Sequence, residues 1–456
     1  MMKVHFIAIG GSVMHQLAIA LKRKGYIVTG SDDEIFEPAK SNLLQEGILP
    51  VTEGWDPTKI SPALDAVILG MHAKADNPEL ARANELGLKI YSFPEYIYQE
   101  SLKKQRIAVG GSHGKTTTTS MIMHVLRKVN RSFDYLVGAK LDGFSQSVQI
   151  TDAPVIVCEA DEYPASTLEK RPKFHFLFPH IAILTGIAWD HINVFPTFDF
   201  YLEQFAIFVG MIAPGGVLIY NETDAELNKL VETTRRDDLR YIPYSVPAHT
   251  IQNGVTTLEL EFAKGPLSVF GDHNLLNLNA AYLVCKELNV TAEQFIHSIS
   301  DFTGASKRLE VLARGNESIV FRDFAHAPSK LNATIDAVRQ QFPDRKLVAV
   351  FELHTFSSLN SKFLNEYTGA MDKADDALVF YSSHALELKR LPPLDAEQVK
   401  EGFKRSDLEV MTNRDALKQW LLSKRQPGTC FLLMSSGNYD GLDMQSLSSE
   451  LVESAV

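Results

Sequence analysis

The sequence has few cysteines and no concentrated run of basic residues. Its three cysteines, Cys158, Cys285 and Cys430, lie far apart and lack the spacing of metal ligands, so they indicate a reducing compartment rather than a metal site or a catalytic thiol. The formal net charge of −11 argues against a nucleic-acid partner, because nucleic-acid phosphates need a concentrated basic surface.

The sequence also lacks long apolar segments. No apolar run reaches the roughly 18 residues that a membrane span requires. The N-terminus passes directly into a short strand and Gly10-Gly11, without the apolar region of a signal peptide. We therefore expect a cytoplasmic protein without a membrane span.

A glycine-rich loop is the most informative feature that is present. In the segment 107–119 an apolar strand leads through glycines into Gly114-Lys115-Thr116 and then into a helix. Backbone amides and the helix N-terminus favour bound phosphate, a lysine reaches the outer phosphates, and a threonine hydroxyl suits Mg²⁺. Val109 stands where the strict P-loop pattern has its first glycine. We expect an ATP site here; a plain strand–turn–helix connection is the alternative.

Strand and helix patterns alternate along the chain, which predicts an α/β protein built from stacked doubly wound units. The units are three consecutive domains: a Rossmann-like domain at 1–103, a central P-loop-type ATPase domain at 104–305 and a Rossmann-like domain at 306–456. Helices are expected at 13–24, 198–209 and 273–288, with an antiparallel hairpin at 255–270. Strands are expected at 4–9, 26–29, 65–69, 89–91, from 106, at 154–159, 181–185, 318–322, 347–351, 377–381 and 429–434.

The first strand is followed by a turn that resembles a dinucleotide-binding fingerprint. Gly10-Gly11 lies in this turn, and Asp32 ends the second strand. The fingerprint is broken, because Ala8 and Val13 occupy its first and third glycine positions. A nicotinamide site with Asp32 on the ribose, or Asp32 as a simple turn residue, are both compatible with this pattern. In either case the turn offers a second anion site.

Acidic and imidazole side chains follow strands of the central unit, where an open α/β sheet binds its ligands. Glu159 closes one apolar strand, and Asp190-His191 follows the next. Thr116, Glu159 and His191 are candidate magnesium ligands beside ATP, with the carboxylate the most natural of them. Histidine is an unusual ligand of Mg²⁺, so a structural role for His191 stays open.

The third unit carries two charged residues near its start, Arg308 and Asp323. They are candidates for contacts with the nucleotide across a closing cleft. Paired surface charges are the alternative explanation.

Together these motifs resemble those of the Mur ligase family over essentially the whole chain, with Ser112 where threonine is usual. The resemblance implies ATP and Mg²⁺ as cofactors, with Lys115, Glu159 and His191 in catalytic roles and Thr116, Glu159 and His191 around the metal. It implies ATP contacts at Gly111, Ser112, His113, Gly114, Lys115, Thr116, Thr117, His273, Asn274, Asn277, Arg308 and Asp323. It further implies UDP-sugar contacts at Gly10, Gly11, Ser12, Met14, Asp32 and His72, and peptide contacts at His326 and His354.

Within the family, the segments 7–12 and 76–79 are similar to the ligases that take UDP-N-acetylmuramate, so the broken fingerprint implies a UDP site. Of these ligases, one attaches L-alanine and another attaches the tripeptide L-alanyl-γ-D-glutamyl-meso-diaminopimelate. The segments 159–163, 170–174, 308–310 and 323–326 look more like the tripeptide enzyme. Ala327, where a second histidine is usual, and the mixed segment 351–354 depart from it. The absence of lysine from 200–208, where several relatives carry a carbamylated lysine, agrees with the UDP-N-acetylmuramate assignment.

The resemblance implies an ATP-dependent amide ligase that works through an acyl phosphate, and it leaves the oligomeric state open. Donor selection is expected around 352–358 and 435–441. No general base is evident, and His191 and His354 are the candidates. A P-loop ATPase switch and a nicotinamide-dependent oxidoreductase are the alternatives from other functional classes.

Overall fold

The computed structural model describes residues 1–138, 141, 143–166, 168–189, 194–304 and 309–453. The chain forms two compact units, one of Met1–Ser245 with Leu276–Ser298 and one of Val246–Leu275 with Ile299–Val456. Among the described residues, no helix has both the length and the apolar character needed to cross a lipid bilayer.

The first part of the first unit is a parallel sheet with helices between its strands. Its elements are β1 (Lys3–Ile7), α1 (Met14–Arg23), β2 (Ile27–Ser31), α2 (Ala39–Gln45), β3 (Ala66–Leu69), α3 (Pro78–Glu85), β4 (Ile90–Ser92) and α4 (Phe93–Ser101). The strand order is β2-β1-β3-β4. Phe6, Leu17 and Ile68 are fully buried in its core. Asn77 caps α3, and Ser92 with Glu95 forms a capping box at the start of α4.

A second sheet of the first unit carries the glycine-rich loop. Its elements are β5 (Gln105–Gly110), α5 (Lys115–Lys128), β6 (Asp134–Leu136), β7 (Val148–Gln149), β8 (Val155–Glu159), β9 (Ile181–Leu184), α6 (Phe198–Gly210), β10 (Val217–Asn221), α7 (Ala225–Thr233) and β11 (Arg240–Tyr244). The strand order is β11-β10-β9-β5-β8-β6-β7, with β7 antiparallel to β6. Because β5 lies between β8 and β9, the loop after it emerges beside the carboxyl ends of both neighbours.

The chain then passes through an antiparallel sheet and two helices. These elements are β12 (His249–Gln252), β13 (Val255–Leu260), β14 (Ala263–Leu267), α8 (Asp272–Glu287) and α9 (Ala292–Ile299). The sheet belongs to the second unit, as does the start of α8 through Leu275, whereas α8 from Leu276 onward belongs to the first.

The rest of the second unit is a mixed sheet flanked by helices. Its elements are β15 (Glu310–Arg314), β16 (Ile319–Asp323), α10 (Pro328–Gln341), β17 (Lys346–Glu352), β18 (Asp376–Phe380), α11 (Ser383–Leu388), α12 (Ala396–Phe403), β19 (Glu409–Met411), α13 (Arg414–Ser423), β20 (Thr429–Met434) and α14 (Met444–Val452). The strand order is β15-β16-β20-β17-β18-β19, with β15 antiparallel to β16. The inner strands β17 and β20 are apolar and buried along nearly their whole length, as expected for parallel strands covered on both faces.

Candidate functional site

The glycine-rich loop links β5 to α5 through two glycines in the left-handed region. Gly111 has φ of 123°, and a Cβ there would lie 2.2 Å from Thr185 Oγ1. Gly114 has φ of 82°, and a Cβ there would lie 2.3 Å from Asn277 Oδ1. Both positions therefore require glycine, because only glycine lets the loop backbone approach Thr185 and Asn277 this closely.

The loop is held in place by hydroxyl groups. Ser112 Oγ lies 2.9 Å from Tyr201 Oη and accepts a hydrogen bond from the amide of Ala188 at 2.8 Å. Thr185 Oγ1 donates a hydrogen bond to the carbonyl oxygen of His113. The Nδ1 atom of His113 lies 2.8 Å from the carbonyl oxygen of Ser112 in the same loop. The Ser112 hydroxyl thus joins the loop to Tyr201 and to the chain after β9.

Lys115, the first residue of α5, folds back over the loop. Its Nζ donates to the carbonyl oxygen of Gly111 at 2.7 Å and to Glu162 Oε2 at 2.8 Å. The Glu162 side chain is 1% exposed and that of Lys115 is 15% exposed. The buried Glu162 carboxylate and the Gly111 carbonyl oxygen therefore hold the ammonium against the glycine-rich loop. No motif in the sequence predicts this role of Glu162.

Thr116 and Glu159 bring two oxygen atoms that could bind a metal ion together at the edge of the sheet. Thr116 Oγ1 donates to Glu159 Oε1 at 2.7 Å, and the amide of Gly138 donates to Glu159 Oε2 at 2.9 Å. Hydroxyl and carboxylate oxygens suit Mg²⁺, which keeps several water ligands and shares substrate phosphates. His191, the third predicted ligand, and its neighbour Asp190 lie outside the described residues. Within the described residues, no group of three or more histidine, cysteine or acidic side chains is placed to hold a metal ion.

A cavity of about 430 Å³ connects this loop to the turn after β1. It contains side chains from both sheets of the first unit, since Ser12 and Val13 lie on one wall and Lys115, Thr116 and Glu159 on another. Its remaining lining residues are Phe93, Pro94, Leu136, Val137, Gly138, Ser147, Asp161, Lys173 and Leu177. The two predicted anion sites therefore open into one space.

The turn after β1 is closed by Asp32 from the end of β2. The amide of Gly10 donates to Asp32 Oδ2 at 2.6 Å, and a Cβ on Gly10 would lie 2.9 Å from that oxygen. Burial of the carboxyl, together with its neighbour Asp33, raises the pKa of Asp32 to about 6. In this structure Asp32 therefore stabilises the turn.

The other predicted UDP-sugar residues differ in exposure. Gly11 is partly exposed beside the exposed Ser12, and His72 is exposed after β3, whereas Met14 is buried in the core. Ser12 alone among these four lines the described cavity.

The predicted ATP contacts of α8 are divided between the units. Asn277, in the first unit, accepts a hydrogen bond from Thr118 Oγ1 at 3.3 Å and lies against Gly114. His273 and the buried Asn274 belong to the second unit, where Asn274 Nδ2 donates to the carbonyl oxygen of Phe270 at 2.9 Å. Thr117, on the first turn of α5, is partly exposed.

Asp323 lies at the carboxyl end of β16 in the second unit and is 3% exposed. It accepts hydrogen bonds from the amides of Leu309 at 2.8 Å and Ala325 at 2.7 Å. Its carboxylate thus fixes the chain on either side of β15 and β16. Arg308, the other predicted nucleotide contact of this unit, lies outside the described residues.

The region predicted to bind the amine donor surrounds Glu352, which lies at the end of β17 and is 2% exposed. Glu352 Oε2 accepts hydrogen bonds from Ser435 Oγ and from the amide of Tyr439, the latter at 2.9 Å. His354 Nδ1 lies 3.7 Å from Glu352 Oε1. His326 follows β16, and its Nδ1 lies 2.9 Å from the carbonyl oxygen of Phe324. The carboxylate thus holds together the loops that follow β17 and β20.

Comparisons with known proteins agree with this architecture. Three family descriptions match in order: Mur ligase family, catalytic domain at residues 3–104, Mur ligase middle domain at 109–285, and Mur ligase, glutamate ligase domain at 307–437. A UDP-N-acetylmuramate--L-alanine ligase of Clostridium kluyveri is 31% identical, over 83% of this chain and 82% of its own. A UDP-N-acetylmuramate--L-alanyl-gamma-D-glutamyl-meso-2,6-diaminoheptandioate ligase of Haemophilus influenzae is 27% identical, over 98% of this chain and 99% of its own.

A solved structure shows the same fold. The UDP-N-acetylmuramate-alanine ligase of Thermotoga maritima superimposes with a TM-score of 0.65 at 21% identity, covering 99% of this chain and 98% of its own. The predicted three-domain α/β class is thereby confirmed, while the bounds 1–103, 104–305 and 306–456 stay a prediction. By its three consecutive domain matches and its relatives, the chain belongs to the Mur ligase family and is an ATP-dependent carboxylate–amine ligase.

Proposed function

We propose that this ligase joins UDP-N-acetylmuramate to the tripeptide L-alanyl-γ-D-glutamyl-meso-diaminopimelate, a reaction of peptidoglycan recycling. The observation that carries the proposal is the cavity that the phosphate loop shares with the turn after β1. A nucleotide sugar bound at Ser12 would direct its lactoyl carboxylate toward Lys115 and Thr116. Neither a nicotinamide-dependent oxidoreductase nor an ATPase switch requires a cavity that joins the phosphate loop to the turn after β1.

The reaction needs an activated acid, because direct condensation of a carboxylate with an amine is unfavourable. A lactoyl carboxylate oxygen attacks the γ-phosphorus of ATP, the bond to the β-phosphate oxygen breaks, and ADP leaves. The amine of the donor then attacks the acyl carbon, inorganic phosphate leaves, and the new amide nitrogen loses a proton to a base that the described residues do not identify.

In the first step the chain supplies positioning and charge. Lys115, oriented by Glu162, neutralises charge on the phosphoryl group as it moves. Thr116 and Glu159 would hold Mg²⁺, which supplies further neutralisation of the phosphates when bound. The amides between Gly111 and Lys115 hold the phosphates that remain on ADP.

The choice of tripeptide rests on sequence segments in both units, and L-alanine is the second candidate donor. Curated relatives of both kinds match nearly the full chain, at 29% identity for an L-alanine ligase of Sulfurihydrogenibium and 27% for the tripeptide ligase. Glu352 holds together the loops after β17 and β20, which are the loops expected to contact the donor.

The test offers L-alanine and the tripeptide separately, at equal concentration, with UDP-N-acetylmuramate, ATP and Mg²⁺, and measures ADP and the amide product. We expect kcat/KM to be at least tenfold higher for the tripeptide. Lys115→Ala should reduce acyl-phosphate formation by at least about 100-fold, since it removes a group that stabilises transition-state charge. The exposed Lys22→Ala, at the far end of α1, is the matched control. Preference for L-alanine would select the second candidate, and ADP release without any acceptor would contradict both.

A further inference from the structure

The cavity contains a second lysine that the mechanism above leaves unused. Lys173 begins a 3₁₀ helix, Lys173–Phe176, and lines the cavity together with Lys115. Its Nζ lies 2.6 Å from Asp161 Oδ2. Asp161 also lines the cavity, two residues after Glu159.

The backbone around this pair is fixed by pairing between two short segments. The amide of Lys173 donates to the carbonyl oxygen of Tyr163 at 2.8 Å, and the amide of Phe174 donates to that of Asp161 at 3.0 Å. Phe174 is fully buried and stacks on Phe208 at 4.8 Å. The backbone of Lys173 is therefore held by a packed core, and its side chain lines the cavity wall.

The two lysines of the cavity differ in how firmly they are held. Lys115 is paired with a carboxylate that is 1% exposed and also donates to the loop. The side chains of Lys173 and Asp161 are 21% and 38% exposed. Partly exposed ion pairs of this kind contribute little to stability, so Lys173 can turn from Asp161 to a ligand at small cost.

The cavity needs a cation for an acidic ligand. Within the described residues, its charged lining groups are Lys115, Lys173, Glu159 and Asp161. Lys115 is committed to the phosphates, and Glu159 is a candidate metal ligand. An incoming carboxylate would therefore meet the negative charge of Asp161 unless Lys173 faced it. Lys173 already faces Asp161 at ion-pair distance, which places its ammonium where such a carboxylate would enter.

We propose that Lys173 Nζ binds the lactoyl carboxylate of the acceptor and holds it for attack on ATP. This inference rests on the proposed acceptor, UDP-N-acetylmuramate. It assigns Lys173 to recognition of the acid, Asp161 to positioning Lys173, and Lys115 to the phosphates.

The test compares two nucleotide sugars that differ at the acid. UDP-N-acetylglucosamine has the same nucleotide and sugar but no lactoyl carboxylate. Both are titrated calorimetrically into the protein with Mg²⁺ and a non-hydrolysable ATP analogue present. The variants are Lys173→Met and Lys173→Gln, the second of which keeps a donor for Asp161 if the methionine variant does not fold. The exposed Lys22→Met is the matched control.

The wild type should bind UDP-N-acetylmuramate more tightly than UDP-N-acetylglucosamine. Loss of Lys173 should weaken binding of UDP-N-acetylmuramate by about tenfold or more, the value expected for a hydrogen bond between charged groups, and leave UDP-N-acetylglucosamine unchanged. An equal loss for both sugars, or a loss of affinity for the ATP analogue, would overturn the assignment of Lys173. A wild type that does not distinguish the sugars would instead contradict the proposed acceptor.

Discussion

At the scale of single residues, the site depends on carboxylates that hold other groups in place. Asp32 holds the amide of Gly10, Glu162 holds Lys115, and Glu352 holds Ser435 and Tyr439. Each acidic side chain is nearly buried. We therefore expect replacement of any of these carboxylates to act mainly by moving a loop, rather than by changing the charge that the substrate meets.

Asp32 gives a pH-dependent prediction. Its pKa rises from the ordinary 3.8 to about 6 in the fold, so the folded chain holds a proton that the unfolded chain has already released. Stability contributed by the protonated carboxyl is then present below about pH 4 and is lost as the pH rises toward 6. Asp32→Asn does not titrate and keeps an oxygen for the Gly10 amide.

We therefore expect the free energy of unfolding of the wild type to fall relative to Asp32→Asn between pH 4 and 6. Urea titrations of the two proteins across this range provide the measurement. Parallel pH profiles would show that Asp32 titrates at its ordinary value.

At the scale of elements, the loop between β5 and α5 is formed by two glycines that close on neighbouring elements. Gly114→Ala would place a methyl group against Asn277 in a conformation that alanine rarely adopts. We expect a fall in ATP affinity of at least about tenfold, because the loop must shift and its amides no longer converge on the phosphates.

Gly210→Ala is the matched control, since Gly210 has a negative φ at the end of α6 and open space around its Cβ position. Titration with an ATP analogue measures both variants. Wild-type affinity in Gly114→Ala would mean that the loop adapts without losing its phosphate contacts.

The sequence predicts helices and strands well where the spacing of apolar residues repeats along the segment. The strand, the loop and the helix from residue 106 onward lie where predicted, and α8 lies within one residue of its predicted bounds. The prediction omits β6 and β7, because three- and two-residue strands show no alternation. It also omits β10, although Val217–Asn221 begins with four apolar residues after Gly215-Gly216.

The site was predictable in part. Lys115, Thr116, Glu159 and Asn277 come together as their motifs indicate. The pairing of Glu162 with Lys115 depends on how the chain turns after β8, which no local pattern reports. Lys173 reaches the cavity only through the pairing of two loop segments.

At the scale of the whole molecule, the candidate acceptor and donor regions belong to different units. The cavity lies in the first unit, and the loops around Glu352 lie in the second. Changes in one region should therefore affect one substrate.

Glu352→Gln should raise KM for the amine donor by roughly tenfold, because it removes a buried charged acceptor of two hydrogen bonds. KM for UDP-N-acetylmuramate and for ATP should change by less than about twofold. Steady-state kinetics with each substrate varied in turn gives the three values. Equal changes in all three KM values would indicate that Glu352 stabilises the fold as a whole rather than the donor region.

The buried Glu162 has one more consequence. Without nucleotide, the ammonium of Lys115 is already neutralised from within the protein. A lone orthophosphate ion must compete with that carboxylate, whereas a triphosphate gains the loop amides and its divalent counter-ion at the same time. We therefore expect the loop to bind orthophosphate more weakly than a triphosphate, which would favour release of orthophosphate after each turnover.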